Sequence, residues 1–510
     1  MHRCQPLVLV VLSVAFLLRF VNLGYSDYQG DGTKALYNPK DQTAVQFLLS
    51  QRKGPGQFLV TAAVKIFSHD YRNPFVTRAP FALAGSVSCI FFYLFVRRIS
   101  NASIAFFALL FLATNGIFIA FSRIVQYQSL VLLSSISCLY AFQLYADTSR
   151  RRYLYLALTF WCAGLLTHSD AIFIAPMMTV QIYLRTRKTA EKVLNIVKEM
   201  LPGLIILLSV LLSVYIPLVL NSSGSTQSYW AGRLTGSTAV GIISSKYLFS
   251  LYQPIYGLVI YAALGLAGIL SAAIVGAIKV LVPDHKAVID KIRILPFLGV
   301  GLWLLCSLGF MEVLTKFPGT HIWVYILPLT ILMGLPLYLL DTWVKRKPRI
   351  IGAVFRLLVM SLFIFLTFQS YLIFADSNSG YPWSKHTFLL WEVPTPSTQY
   401  QLSLFGFPYN RQWREISDFI ILHGQAAYYS VNEKESIARY YLPLLEKNSN
   451  KAGYFIHIVK PQSFNNVTAN KRGAFWMKRN DPIKTFYNNG NVVARVYLVP
   501  QTWGSWLIGN

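Results

Sequence analysis

The stretch PLVLVVLSVAFLLRFVNLGYSDYQGDGTK, residues 6–34, decides the fold class because it joins an apolar run to a polar loop. Residues 6–24 carry a single charge, Arg19, and are long enough to cross a bilayer as a helix. The following loop places a carboxylate, Asp31, just outside the membrane. A basic start before an apolar run is also typical of signal peptides, but residues 21–24 form a poor cleavage site, so we predict a retained first helix.

The composition is that of a polytopic membrane protein. Of 510 residues, 55% are hydrophobic and 13% are charged, whereas soluble domains carry about a quarter charged residues. The net charge of +26 does not predict a nucleic-acid partner, because Lys and Arg cluster between apolar runs, where they anchor cytoplasmic loops. The five cysteines lie in or beside apolar runs, which predicts neither a disulfide framework nor a cysteine metal site.

The apolar runs predict about eleven membrane-spanning helices. They cover residues 6–24, 77–97, 104–121, 127–146, 153–167, 170–184, 200–220, 254–281, 295–312, 322–341 and 351–375. A cytoplasmic N-terminus puts the basic clusters that border these runs on the inner side, as the positive-inside rule requires. These clusters lie at residues 97–98, 150–152, 185–192, 284–293 and 345–349. The odd number of spans then places the C-terminus outside.

The predicted outer face collects the ionisable residues that interrupt apolar sequence. Charges at membrane depth are costly and tend to line functional cavities, so we predict one outward site. Its candidate residues are Asp31, Arg52, Lys53, Arg123, His168, Asp170 and His321. Each has a plainer interpretation as well: a solvated loop carboxylate, a basic side chain that extends to lipid headgroups, or a polar residue that a turn requires.

Two of these segments suggest particular chemistry. In Arg52-Lys53-Gly54-Pro55-Gly56, glycines beside a basic pair suit close approach to a phosphate. In Thr167-His168-Ser169-Asp170, a histidine and a carboxylate two residues apart suit a proton relay or a substrate clamp. No conventional metal-ligand spacing occurs, so we predict no required cofactor, although a divalent ion is compatible with the carboxylates.

We divide the chain into a membrane domain, residues 1–375 with an outer loop at 25–76, and a soluble domain, residues 376–510. The second part is long enough for a small core. Its pattern predicts helices at 411–422 and 433–445 and strands at 427–431, 454–459 and 492–499. The predicted fold class is therefore a polytopic α-helical membrane protein with a small C-terminal extracytoplasmic α/β domain.

Five short motifs in the membrane part resemble those of the C-type superfamily of membrane glycosyltransferases. They are Gly30-Asp31-Gly32, Lys53-x-Pro55, Arg78-Ala-Pro80, Ser122-Arg123 and the stretch from Pro318 to His321. Their order and sidedness look most like the branch that holds protein O-mannosyltransferases and the aminoarabinose transferase of lipid A. The resemblance covers roughly residues 1–375.

The resemblance implies an inverting transfer of a sugar from a polyprenyl-phosphate donor to an acceptor on the outer face. It assigns Asp31 as the base and Lys53 to the donor phosphate. Arg52, next to Lys53, and Arg123, at the end of a span, are further candidates for the phosphate because of their own positions in the sequence. Gly32 stands where the family usually has a second acidic residue. The acceptor is left open as a protein, lipid or glycan, and the expected location is a bacterial or archaeal cell membrane. The alternative function is a transporter or flippase of a lipid-linked substrate, although no repeat between the two halves is evident.

Overall fold

The computed structural model describes residues 5–39, 42–189, 193–235, 252, 255–281, 294–315, 319–378, 387–388, 391–392, 405–448, 451, 453–462, 474 and 477–499. Every predicted apolar run forms a helix, and short helices fill the outer loop. In chain order the helices are α1 (Gln5–Phe20), α2 (Gly30–Lys34), α3 (Ala44–Leu49), α4 (Gly56–Val64), α5 (Pro74–Ile99), α6 (Ala102–Thr114), α7 (Gly116–Ser122), α8 (Gln128–Thr148), α9 (Arg151–Thr167), α10 (Ala175–Thr189), α11 (Val193–Leu220), α12 (Gly224–Thr235), α13 (Ile255–Leu281), α14 (Ile294–Gly309), α15 (Trp323–Val344) and α16 (Arg349–Phe374).

The predicted spans differ in length and straightness. Among the described residues, seven helices are long and apolar enough to cross a membrane: α5, α8, α11, α13, α14, α15 and α16. The run at 104–121 is divided into α6 and α7, which are bent by 59°. At the break, the Asn115 side chain accepts a hydrogen bond from the backbone N–H of Ile117 and so begins α7. Helices α1, α9 and α10 are shorter, with 16, 17 and 15 residues.

The core of the bundle lies around α15. Helix α15 forms most of the span Gly319–Val344, and 83% of the most apolar stretch of this span is buried inside the protein. In α16 the corresponding fraction is only 6%. Close packing is possible because Gly334 faces α6, where a Cβ would lie 2.7 Å from the carbonyl oxygen of Ile104. Peripheral helices such as α16 expose apolar side chains, as a lipid-facing helix does.

One end of the bundle gathers the basic clusters that the positive-inside rule predicts to be cytoplasmic. Arg98 pairs with Asp147 at 2.7 Å. Glu199, near the start of α11, pairs with Arg151 at 3.1 Å and with Arg185 at 3.5 Å. These pairs join the ends of α5, α8, α9, α10 and α11, so the basic clusters on these helices lie at the same end of the bundle.

The C-terminal part forms a small α/β unit, so the predicted class of a polytopic α-helical membrane protein with a small C-terminal α/β domain is confirmed, whereas the side of the membrane on which that domain lies stays a prediction. Its elements are α17 (Trp413–His423), α18 (Glu435–Tyr441), β1 (Thr387–Phe388), β2 (Trp391–Glu392), β3 (Tyr428–Val431), β4 (Glu446–Lys447), β5 (Tyr454–Ile458), β6 (Lys484–Asn488) and β7 (Asn491–Leu498). The described sheet has the order β4-β3-β5-β7-β6, with β3 parallel to β4 and β5, and β7 antiparallel to β5 and β6.

Two details of this unit differ from the sequence prediction. The helix predicted at 433–445 begins at Glu435 and ends at Tyr441, because the chain then turns into the short edge strand β4. Strand β6 was not predicted: its residues, Lys484–Asn488, alternate weakly and form a hairpin with β7 across Asn489 and Gly490. Both of these turn residues have positive φ, which Asn and Gly tolerate best.

Candidate functional site

Asp31 lies in the first turn of α2, with its side chain 39% exposed. Its Oδ1 is 3.9 Å from Nζ of Lys434, and Gln126 provides a hydrogen bond to the carboxylate. Burial alone would raise the pKa of Asp31, but nearby positive charges outweigh burial and hold that pKa below its usual value. In order of effect, these charges belong to Lys53, Lys434 and Lys34. The carboxylate is therefore ionised and partly accessible at neutral pH.

Lys53 is positioned by the two glycines that follow it. A Cβ on Gly54 would lie 2.1 Å from the carbonyl oxygen of Leu166, and one on Gly56 would lie 2.2 Å from Oγ1 of Thr167. The loop therefore runs directly against the end of α9, and the glycines serve this backbone contact. That these glycines also allow close approach of a phosphate stays a prediction.

A stack of rings continues from Lys53 into the protein. The Nζ of Lys53 lies 4.7 Å from the centre of the Tyr127 ring, within cation–π range. Tyr127 stacks on His168 with centroids 3.9 Å apart and planes 9° apart. The Oη of Tyr127 is 3.3 Å from Nδ1 of His321. Residues predicted from three separate segments thus share one site with Tyr127, the first residue of the predicted span 127–146.

Asp170 is buried, with 4% of its side chain exposed. It lies at the centre of the inner half of the site, which consists of Asp170, His168, His321 and Trp323. Its Oδ1 is 3.0 Å from Nδ1 of His168, and its Oδ2 is 2.8 Å from Nδ1 of His321. The indole N–H of Trp323 donates to Oδ2 at 3.1 Å. The structure describes the motif stretch that ends at His321 only from residue 319 onward. Asp170 thus joins the turn between α9 and α10 to the start of α15.

Arg52 and Arg123 take different positions from Lys53. The guanidinium of Arg52 lies 5.0 Å from the centre of the Tyr229 ring, on α12. Arg123 is buried, and its Nη1 donates to the carbonyl oxygen of Leu18 at 2.9 Å. Together with Arg78 it lines a small cavity that Asp27 and Gly32, on the loop of Asp31, also line. The described contacts of Arg123 are therefore structural and do not place its guanidinium beside Lys53.

The C-terminal unit is locked onto the loop that carries Asp31. Arg411 is fully buried and its Nη1 bonds Oε2 of Glu433 at 2.5 Å. The backbone N–H of Arg411 donates to Oδ2 of Asp27 at 2.6 Å. The hydroxyl of Tyr441 accepts a hydrogen bond from the backbone N–H of Tyr28 at 2.9 Å. Buried polar contacts of this kind fix one arrangement, since a slip would leave charges unpaired.

This interlock brings Lys434 to Asp31, and the sequence analysis missed Lys434. Its side chain lies across Gly30, where a Cβ would be 2.5 Å from Cδ of Lys434. The backbone N–H of Lys434 donates to Glu433 at 2.8 Å, which ties its position to the Arg411 contact. A lysine at the start of a helix in the C-terminal unit carries no local signal of such a role, because only the packing of the two parts reveals it.

Comparisons with known proteins agree with this architecture. The sequence profile of the family described as dolichyl-phosphate-mannose-protein mannosyltransferase matches residues 55–216. The crystal structure of ArnT from Cupriavidus metallidurans bound to undecaprenyl phosphate matches with a TM-score of 0.53 at 13% identity, covering 96% of this chain and 98% of that one. The apo form of the same protein matches with a TM-score of 0.52 at 12% identity, over the full length of both chains.

The fold is that of a C-type membrane glycosyltransferase. The resemblance inferred from five short motifs is thereby confirmed at the level of fold, and the chain is an integral membrane protein. Curated protein sequences include no significant match to this chain. At 12–13% identity these matches do not assign roles to individual residues, so those roles are inferred only from the contacts described above.

Proposed function

We propose that this protein transfers a sugar from a polyprenyl-phosphate donor to an acceptor hydroxyl, with inversion at the anomeric carbon. The observation that carries the proposal is the ionised and partly exposed Asp31, held beside Lys53 and Lys434. A carboxylate next to lysines offers a base for the acceptor and positive charge for a phosphate. The mannosyltransferase profile and the match to ArnT bound to undecaprenyl phosphate support a lipid-phosphate donor.

In the proposed reaction, Asp31 takes the proton of the acceptor hydroxyl as the oxygen attacks the anomeric carbon. The bond between that carbon and the donor phosphate oxygen breaks, and the polyprenyl phosphate leaves with one additional negative charge. Lys53 binds the phosphate and stabilises the charge that develops on it. Because the leaving group is already acidic, electrostatic stabilisation suffices and no strong general acid is required.

The C-terminal unit contributes to this site in our proposal. The Nζ of Lys434 lies 3.9 Å from Oδ1 of Asp31 and is partly exposed, so its charge lies beside the accessible carboxylate. Its ammonium keeps Asp31 ionised and adds a second positive charge for the anionic donor. The base and one of its lysines thus come from different parts of the chain, and the site depends on their docking.

The function is tested by incubating the purified protein with a panel of radiolabelled polyprenyl-phosphate sugars. We expect turnover of one donor, including slow hydrolysis without an acceptor. Lys53→Met should weaken donor binding by about 10–100-fold, since a hydrogen bond to a charged group contributes roughly 1.5–3 kcal/mol. The matched control is Lys65→Met, which also removes an ammonium beside a tyrosine ring, that of Tyr71. Movement of intact labelled lipid across liposomes without sugar release would favour a flippase instead.

We also propose that the site and the C-terminal unit face outward from a bacterial or archaeal cell membrane. The unit contacts the loop of Asp31, whereas the basic clusters lie together at the ends of α5, α8 and α9. In a background without native cysteines, an impermeant maleimide should label Leu444→Cys in intact cells and spare Lys347→Cys. Both positions are exposed in the protein, and the reverse pattern of labelling would contradict the orientation.

A further inference from the structure

Three side chains in the inner half of the site converge as metal ligands do. One ring nitrogen of His168, one carboxylate oxygen of Asp170 and one ring nitrogen of His321 all lie within 4.8 Å of one another. The two imidazole nitrogens approach the carboxylate to 3.0 Å and 2.8 Å. The residues come from the turn after α9 and from the segment before α15, so this convergence is a product of the fold. The sequence analysis required no metal, and it considered a divalent ion only on the carboxylates of Asp31 and Asp170.

Nδ1 of His168 has two close neighbours in Asp170 and cannot form a hydrogen bond with both. Its Nδ1 accepts the backbone N–H of Asp170 at 3.1 Å and also lies 3.0 Å from Oδ1 of the same residue. A neutral Nδ1 satisfies the N–H but presents its lone pair to the carboxylate, whereas a protonated Nδ1 does the opposite. A cation held by Nδ1 and Oδ1 takes up this lone pair in place of the backbone N–H and removes the repulsion between the two atoms. Asp170 is buried, so its charge also requires a positive partner.

We propose that His168, Asp170 and His321 bind one divalent transition-metal ion of the zinc class. Two imidazole nitrogens and one carboxylate oxygen are ligands that Zn²⁺ prefers, whereas Mg²⁺ and Ca²⁺ prefer oxygen ligands throughout. The indole N–H of Trp323, which donates to Oδ2 of Asp170, supplies the outer hydrogen bond that ligating carboxylates commonly receive. Three protein ligands leave a fourth position for water or a phosphate oxygen.

The ion would connect the proposed phosphate contact to the core of the bundle. His168 stacks on Tyr127, and the ammonium of Lys53 lies over the same ring. An ion with charge +2 bound by one carboxylate adds positive charge on the side of the site where Lys53 lies. This role toward the donor rests on the proposed function, but binding of the ion does not, and it is measured without any donor.

The test uses the full chain in detergent, purified with an affinity tag that contains no histidine. After exposure to Zn²⁺ and dialysis, we expect about one zinc per chain, and Co²⁺ should give the intense visible absorption of a tetrahedral site. His168→Asn keeps an acceptor for the backbone N–H of Asp170 but is a poor ligand, and His321→Ala removes a second ligand. Both should abolish the cobalt absorption, whereas His69→Ala, an exposed histidine outside the cluster, should retain it.

Graded and independent measurements complete the test. Trp323→Phe should weaken zinc binding by about 10–100-fold through loss of the outer hydrogen bond. Asp31→Asn should bind zinc like the wild type, because Asp31 is not one of the proposed ligands. The metal measurement is therefore independent of whether sugar transfer is detected. Zinc content at background in the wild-type protein would overturn the proposal. Equal binding by wild type and a His168→Asn variant of unchanged melting temperature would also overturn it, because the ion would then be bound elsewhere.

Discussion

Substitution of Gly54 tests whether backbone contact with α9 positions Lys53. In Gly54→Ala the new Cβ would lie 2.1 Å from the carbonyl oxygen of Leu166, about 0.9 Å inside the 3.0 Å that real Cβ atoms keep. The obstacle is backbone rather than a flexible side chain, so the loop itself must move by roughly 1 Å. A displacement of that size at a reacting site costs about 10²-fold in rate, and overpacking costs about 1–3 kcal/mol in stability.

The assay for Gly54→Ala is kcat/KM for donor turnover, with the melting temperature measured in parallel. The matched control is Gly301→Ala in α14, since no atom of the described residues lies within 4 Å of a Cβ there. The control should keep kcat/KM within about twofold, as expected for substitutions away from tight packing. A Gly54→Ala protein with wild-type kcat/KM would refute the claim that this glycine sets the position of Lys53.

Three further predictions concern Lys434, the pKa of Asp31 and the interlock. Lys434→Met and Gly30→Ala should each lower kcat/KM, because a Cβ on Gly30 displaces the Lys434 side chain. A loss in only one of the two variants would contradict a shared effect through Lys434. Since the pKa of Asp31 lies below its usual 3.8, kcat/KM should be constant between about pH 5 and 7 and fall only at lower pH, where the base is protonated. The acid limb should move to higher pH in Lys434→Met, and an unchanged profile would exclude this electrostatic role. Arg411→Met should destabilise the protein by about 3–5 kcal/mol in denaturant unfolding, because Glu433 keeps an unpaired buried charge.

The membrane architecture was predictable from sequence because hydropathy is local. Each apolar run supplies its own reason to be helical, so all eleven runs form helices, although α11 begins at Val193 rather than at residue 200. The bend between α6 and α7 was not predicted. It depends on Asn115 as a cap and on the close approach of Gly116 to the carbonyl oxygen of Tyr252, where a Cβ would lie 1.8 Å away.

The sequence could predict only those site residues whose loops lie on the same side of the membrane. Asp31, Lys53, His168 and His321 were grouped because one topology puts their loops on one face. The direction of a side chain is a different matter: Arg123 also ends an outer helix, yet it donates to a backbone oxygen of α1. Long-range docking of the C-terminal unit has no local signal either, so Lys434 was missed.

The most direct test of the central claim is the rate of sugar transfer by Asp31→Asn at saturating donor. Asparagine keeps the size and hydrogen bonding of the side chain but cannot accept the proton of the acceptor. We predict a rate about 10²–10⁴-fold below that of the wild type, with donor affinity unchanged within a few-fold, since Lys53 remains in place. Transfer at near the wild-type rate by Asp31→Asn would contradict the assignment of Asp31 as the base.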